Sequence, residues 1–268
     1  MDTRPIGIFD SGIGGLSVAN AVYRHLPNEQ LIYFGDTAHL PYGDKSQSLV
    51  KEFSLGITDF LLQQKGCKAI VIACNTASAA AYEYIRDSHK GKHPIINVID
   101  PIIEAIVEDK SIKKVGIIAT KGTITSGVYQ EKLSRRKPDI EYVALATPML
   151  VPMIEEGFGN DNISHTLIEN YLENPIFEDI DALILGCTHY IMIRDEINTF
   201  FKGKIKLFDS TDIVALKLKS ILNNEMLLNE TSQAENQFYI SDINQDFKNS
   251  ANRFWGENIN LEVSNLWK

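Results

Sequence analysis

Short apolar runs recur along the 268-residue chain, each closed by turn-forming residues. IGIF (6–9), LIYF (31–34), AIVIA (69–73) and IINVI (95–99) come first, and VGIIA (115–119), YVAL (142–145), ALIL (182–185) and IKLF (205–208) follow. Apart from Asn97 and Lys206 they are apolar at consecutive positions, and most are rich in β-branched side chains. That pattern predicts strands covered on both faces, as in a parallel sheet. Between the runs lie stretches with helical spacing. One spans 15–26, where Val18, Val22 and Leu26 recur; another spans 48–66 and ends in Gly66; a third spans 126–136. Strands alternating with helices predict an α/β fold with right-handed crossovers. After Asp209 a further helix is expected over 212–222, followed by a polar run over 223–237. FYIS (238–241), DFKNSANRFWG (246–256) and INLEV (259–263) then close onto the first half of the chain.

The runs repeat. Ile6 to Val115 is a step of 109, Leu31 to Glu141 of 110, Ala69 to Ala182 of 113 and Val98 to Leu207 of 109. The likeness continues past the strands: ACNT (73–76) faces GCTH (186–189), and NVIDP (97–101) faces KLFDS (206–210). Four matches in order, with a cysteine after the same strand each time, predict a duplicated architecture. The expected fold is α/β, with two similar domains of mainly parallel sheets flanked by helices. A pseudo-twofold axis relates them, and an active site lies in the cleft between. Residues 1–98 plus 209–268 form the first domain and 99–208 the second.

Composition narrows the function. Lys and Arg number 26 against 35 Asp and Glu, a net charge of −9, which repels phosphate backbones and argues against non-specific nucleic-acid binding. Apolar residues make up 44% of the chain, enough for a sizeable core. The three cysteines, Cys67, Cys74 and Cys187, are too few and wrongly spaced for a disulfide framework. The beginning, MDTRPIGIFD, has no basic-then-apolar pattern, and no apolar run approaches the roughly 18 residues of a membrane span. A cytoplasmic protein without membrane partners is expected.

In open α/β sheets, ligands bind beyond the carboxyl ends of the strands. Four segments fall there. IFDSGIGGLS (8–17) runs from strand through glycines into a helix. A dinucleotide reading uses its G-x-G pattern with Asp36, but the Asp10 carboxylate sits where a pyrophosphate must approach. The better reading is a glycine turn presenting Asp10 and Ser11 to a pocket; the plainer alternative makes Asp10 a helix cap. In ACNTASA (73–79), Cys74 ends a strand while Asn75, Thr76 and Ser78 open a helix, a ready carboxylate site. Cys67 reads as a buried structural thiol. In GCTHY (186–190), Cys187 repeats Cys74, and His189 lies close enough to bond or deprotonate a thiol. The last group comprises the Pro41-Tyr42-Gly43 turn with its backbone donors, Thr120, Thr123 and Thr125 for a second carboxylate, and the acid pair Glu155 and Glu156. Ordinary capping and turn chemistry explains these last residues equally well.

Two halves facing each other bring Cys74 and Cys187 to one cleft from opposite sides. A carbon between them can lose a proton to one thiol and gain one from the other, which is racemisation by two bases. The carbanion-like charge then needs fixed donors, and helix N-termini supply them. No Schiff-base lysine site with phosphate-cradling glycines is visible, so no cofactor is expected.

FDSGIGGLS, GDTAHLPYG, ACNTASA and GCTHY, in this order and spacing, resemble the cofactor-independent aspartate/glutamate racemase family in its glutamate racemase branch. The resemblance runs from Ile6 to about Trp255. It implies interconversion of L- and D-glutamate for bacterial peptidoglycan, by two α/β domains in a homodimer. It also implies Cys74 as the base toward D-glutamate, assisted by Asp10, and Cys187 as the base toward L-glutamate, assisted by His189. Ser11, Tyr42, Gly43, Asn75, Thr76 and Thr188 match the family's substrate-binding positions. Pro41, Thr120 and Thr123 join them through their loops, and Glu155 suits the family's additional acid. Rival readings are an aspartate racemase on the same scaffold, a zinc-binding protein using Cys74, Cys187, His189 and Asp10, and a non-catalytic interaction module.

Overall fold

A computed structural model describes residues 2–89, 91–157, 162–231, 235–243 and 245–267. Residues 232–234 of the polar run after 223 therefore lie outside the described residues. The first stretch alternates β1 (Ile6–Asp10), α1 (Leu16–His25), β2 (Leu31–Gly35), α2 (Gln47–Asp59), β3 (Ala69–Ile72), α3 (Asn75–Ser88) and β4 (Ile95–Asn97). It continues through α4 (Ile99–Glu108), β5 (Lys114–Ala119), α5 (Lys121–Ser126), α6 (Val128–Arg136), β6 (Glu141–Ala146), α7 (Leu150–Glu155) and α8 (Asn162–Leu172). Then come β7 (Ala182–Gly186), α9 (Arg194–Phe200), β8 (Lys206–Phe208), α10 (Asp212–Asn224), β9 (Gln237–Ile240), α11 (Gln245–Trp255) and β10 (Leu261–Val263).

Among the described residues the strands form two sheets, every pairing parallel: six strands ordered β10-β9-β2-β1-β3-β4, and four ordered β6-β5-β7-β8. The order β2-β1-β3-β4 and the order β6-β5-β7-β8 are the same arrangement, so the repeat read from the sequence is a repeat of topology. Alternation along each strand divides the core. Ile6, Ile8 and Val71 of one sheet share a continuous apolar cluster with Ile118, Leu183 and Leu185 of the other. The opposite faces pack separately, around Phe9, Ile70 and Ile72 in the first sheet and around Val115, Ile117 and Ile184 in the second.

The strand register corrects part of the sequence alignment. Ile6 pairs with Leu31 and Ala69, and Val115 pairs with Tyr142 and Ala182, so Leu31 corresponds to Tyr142 rather than to Glu141. Ile70 pairs with Ile95 as Leu183 pairs with Leu207, so Ile95, not Val98, is the counterpart of Leu207. The predicted strand over 95–99 stops at Asn97 because the Asn97 side chain accepts from the Ile99 and Asp100 N–H groups and starts α4. Its true counterpart, Asp209, accepts from the Thr211 N–H just before α10. Each passage between the sheets is thus opened by the same kind of side-chain turn. Ile99, Ile102, Ile103 and Ile106 recur at helical spacing and are buried, which carries α4 where the β-branched composition suggested strand.

Two predicted helices are also divided. The stretch over 48–66 is α2 followed by a wider π turn over Phe60–Gln64, and Gly66 at φ +66° ends it. The stretch over 126–136 breaks at Gly127, whose φ of +68° admits no regular helix, so α5 ends before it and α6 begins after it. β9 and β10 extend the first sheet beside β2, as expected.

At the amino ends of the strands, away from the site, Lys68 precedes β3 with its side chain fully buried. Its Nζ lies 2.6 Å from Glu29 Oε2 and donates to the Asp2 and Leu227 carbonyls. Glu29 in turn accepts from the Asn229 N–H. This pair joins the segment before β1, the loop after α1 and the chain after α10. Lys68→Met leaves Glu29 buried and unpaired, and a loss of roughly 3–5 kcal/mol is expected in chemical denaturation. Adding Glu29→Gln to that variant is expected to recover part of the loss; a single variant as stable as the parent would show that the pair holds nothing together.

Candidate active site

Each sheet has one point where the strand order turns back: β1 lies between β2 and β3, and β5 lies between β6 and β7. Crossovers from such a point run to opposite sides, and the loops part to leave a crevice at the carboxyl ends. Asp10 ends β1 and Cys74 follows β3; Thr120 follows β5 and Cys187 follows β7. Both crevices open into one cavity of about 260 Å³, lined from both sheets.

On the first side, Cys74 is the N-cap of α3, its sulfur accepting from the Ala77 N–H at 3.4 Å with Ser11 Oγ at 3.6 Å. Burial pushes its thiol up to about 12; the nearby Asp10 charge adds to this, against the Ala77 and Ser11 hydrogen bonds. Asp10 is buried. Its Oδ2 accepts from the Gly15 N–H at 2.9 Å, whereas Oδ1 has no partner among the described residues. Burial raises the Asp10 pKa, opposed by the charge of His189 and by backbone N–H groups of the glycine turn. The carboxylate therefore occupies the amide that a pyrophosphate would need, and the dinucleotide reading fails on geometry. Asn75 lends Oδ1 to the Tyr129 hydroxyl at 2.8 Å, and its Nδ2 is buried without a partner among the described residues.

On the second side the polar groups form a chain. Cys187 Sγ lies 3.7 Å from His189 Nδ1, and His189 Nε2 lies 2.9 Å from Glu155 Oε1. Burial works against a charge on His189, but the hydrogen bonds to Cys187 and Glu155 outweigh it and carry its pKa up to about 10. Phe254 of α11 meets the imidazole edge-on at 5.2 Å. Both ring nitrogens are thus engaged along a line rather than turned with the thiols toward one point, and among the described residues no three His, Cys, Asp or Glu groups converge on a metal position. The glycine turn of the first half packs directly on this group: a Cβ at Gly14 would stand 2.5 Å from His189 Nδ1 and 2.6 Å from Thr188 Oγ1.

The halves also meet through hydroxyls. Thr76 Oγ1 lies 2.9 Å from Thr120 Oγ1 and 3.2 Å from Thr123 Oγ1, and the last two are 3.1 Å apart. Beside this triangle the Pro41–Gly43 turn, entered through a cis Leu40–Pro41 peptide, approaches so closely that a Cβ at Gly43 would stand 2.8 Å from Thr120 Cβ.

Of the residues singled out from the sequence, Asp10, Ser11, Pro41, Tyr42, Gly43, Cys74, Asn75, Thr76, Thr120, Glu155, Cys187, Thr188 and His189 all line the cavity. Thr123 does not; it is buried behind the wall and reaches the site through Thr76 and Thr120. Of the acid pair, both side chains border the cavity, but it is Glu155 that bonds His189. Tyr42 spends its hydroxyl on Asp36, which lies outside the lining. Cys67 packs under Gly7 away from the cavity; burial lifts its thiol to about 12 as well, so position rather than acidity separates it from Cys74.

Thr147, Val151, Pro152 and Lys121 also border the cavity and drew no attention in the sequence. Thr147 was within reach of the repeat. With Leu31 matched to Tyr142, it corresponds to Asp36, and each holds a tyrosine hydroxyl: Thr147 that of Tyr190 at 2.6 Å, Asp36 that of Tyr42 at 2.7 Å. Lys121 brings positive charge to a wall that also carries Asp44 and Glu156.

The sequence model of a family described as Asp/Glu/Hydantoin racemase matches residues 16–218. A glutamate racemase of Neisseria meningitidis is 40% identical over 257 residues, covering 96% of this chain and 94% of its own. One from Streptococcus uberis is 36% identical over 269 residues, covering 99% of this chain and all of its own. Among solved structures, the glutamate racemase of Francisella tularensis in complex with D-glutamate is 38% identical. It superposes with a TM-score of 0.92, covering 100% of this chain and 99% of that one.

The Glu155–His189 pair has a measurable signature. A folded-state pKa above the ordinary 6.5 means that the imidazolium contributes stability in full below that value and loses it as pH rises through about 10. By NMR, His189 is expected to stay protonated at pH 8 and to titrate near 10. Removing the anion in Glu155→Gln is expected to bring the midpoint down by about one pH unit or more. An unchanged midpoint would leave Glu155 without that role.

Proposed function

Because the chain belongs to the Asp/Glu/Hydantoin racemase family, we propose that it interconverts L- and D-glutamate through two opposed thiols. The observation that carries this reading is that Cys74 and Cys187, at equivalent strand ends of the two sheets, line one cavity with polar groups fit for an amino acid dicarboxylate.

The two sulfurs stand in contrasting surroundings. Burial and the Asp10 charge oppose a thiolate at Cys74, whereas Cys187 has a protonated imidazole 3.7 Å away. With L-glutamate bound, the Cys187 sulfur takes the α-proton while the Cys74 thiol delivers its own to the opposite face. The C–H bond broken on one side is replaced by one formed on the other, and D-glutamate results. From D-glutamate the roles reverse. Asp10 has a raised pKa and an oxygen without a partner among the described residues, so it is suited to take up and return the Cys74 proton; His189 serves Cys187 in the same way.

The α-proton of an amino acid is a very weak acid, so the charge developing on the substrate needs donors already in place. Asn75 Nδ2, the N-terminus of α3 and the Thr188 hydroxyl supply them. The Thr76 and Thr120 hydroxyls donate to the substrate's side-chain carboxylate, with Thr123 bracing both. Ser11 and the Pro41–Tyr42–Gly43 turn close the remaining wall. Residues 1–98 and 209–268 act as one domain and 99–208 as the other, with the substrate held between. The same reading makes the protein a cytoplasmic homodimer supplying D-glutamate for peptidoglycan, statements that rest on the family alone.

Circular dichroism of either pure enantiomer, with no added cofactor, is expected to decay to zero, and in D₂O the product of opposite hand is expected to carry α-deuterium. Cys74→Ala and Cys187→Ala are each expected to lower turnover by at least about a thousandfold, the scale on which essential groups of one catalytic unit act. Full activity in either variant would end the two-thiol mechanism, and a higher kcat/KM for aspartate would move the substrate assignment to the shorter acid.

A further inference from the structure

Asp36 follows β2 at the site end of the first sheet and is fully buried. Its carboxylate gathers four side chains. Tyr42 Oη donates to Oδ2 at 2.7 Å, Ser241 Oγ donates to Oδ1 at 2.8 Å, Trp267 Nε1 donates to Oδ1 at 2.9 Å, and His39 Nδ1 lies 3.0 Å from both oxygens. The acceptor is buried away from water, so these donors are what satisfy its oxygens. Two of the donors belong to the turn that lines the cavity or leads into it. The other two come from the far end of the chain, after β9 and after β10.

Trp267 sits in a slot made for it. Its ring meets His39 edge-on at 5.1 Å and Phe53 at 5.4 Å, while His39 and Phe53 stack at 4.1 Å. Gly56 of α2 leaves the room: a Cβ there would stand 3.1 Å from the indole. The neighbouring chain is fastened to the same turn, with Ala38 N–H donating to Ser241 Oγ at 2.9 Å and Asp242 N–H to Thr37 Oγ1 at 2.9 Å. Trp267 touches no residue of the cavity wall through these contacts, yet only one carboxylate separates it from Tyr42.

We propose that Trp267 is a positioning residue of the active site. Its indole N–H fixes Asp36, Asp36 fixes the Tyr42 hydroxyl, and the Pro41–Gly43 turn is thereby held against Thr120 with its backbone set for the substrate. The inference deepens the racemase reading and rests on it for its kinetic effect. The relay concerns binding rather than proton transfer, since neither Cys74 nor Cys187 hydrogen-bonds any member of it.

The test compares Trp267→Phe, which keeps a ring and removes the N–H, with Tyr42→Phe and the double variant, using both glutamate enantiomers. Each single variant is expected to raise KM roughly three- to tenfold, the scale of one ordinary hydrogen bond, with kcat within about twofold of the parent. The double variant is expected to be no worse than the poorer single one, because both cut the same relay. Amide hydrogen exchange over residues 37–44 is expected to quicken in Trp267→Phe. A KM unchanged in Trp267→Phe, or effects that multiply in the double variant, would assign the indole to stability alone and overturn the proposal. Should the parent fail to racemise glutamate, the functional reading falls; the exchange measurement then decides the relay by itself, with unchanged protection of 37–44 rejecting it.

Discussion

In an open parallel sheet flanked by helices, ligands bind beyond the carboxyl ends of the strands, in the crevice where the strand order turns back. The architecture follows from meeting that constraint twice. Two sheets of matching order share one apolar cluster between their inner faces, and their turning points empty into the same cavity. Cys74 and Cys187 need no special device to approach a common space from different sides. They occupy equivalent positions of a repeated unit, and the shared core places the units face to face.

Equivalence of position does not bring equivalence of environment. Cys74 caps a helix and lies beside a buried carboxylate, whereas Cys187 has an imidazole and, behind it, Glu155. The repeated topology gives the two sulfurs like positions, and the residues around each differ: a buried carboxylate beside Cys74, an imidazole beside Cys187. The proposed exchange of protons asks one sulfur to give and the other to take, and different partners beside each sulfur suit that division.

The strands, their repeat and the strand-end motifs were legible in the sequence because parallel β/α units write themselves as short apolar runs followed by turn residues. The two cysteines stood out because a twin in each half is a pattern, whereas Cys67, with no twin, reads as packing. What escaped was set by single side chains acting on the backbone. Asn97 turned an apolar run into a helix start, and Gly127 cut a helix in two. Thr147 and Lys121 stayed hidden because neither belongs to a motif, although the corrected register would have led to Thr147 through Asp36. The role of Glu155 depended on which of two adjacent acids faces His189, and a helix of six residues gives no periodicity long enough to decide that. Nothing local in the sequence ties Trp267 to Asp36, because their contact spans almost the entire chain.

The first sheet is interrupted in the chain: β1 to β4 come first, the whole second sheet follows, and only then do β9 and β10 arrive to cover the outer side of β2. During synthesis on the ribosome, β2 must therefore wait as a bare edge, with its amide and carbonyl groups open to any passing strand. Asp36, at the tip of that strand, waits with it, still short of the Ser241 and Trp267 donors. A nascent chain can thus fold its second sheet while the first remains unsealed, and the interval between those events is when this protein is most exposed to mispairing and to chaperone capture.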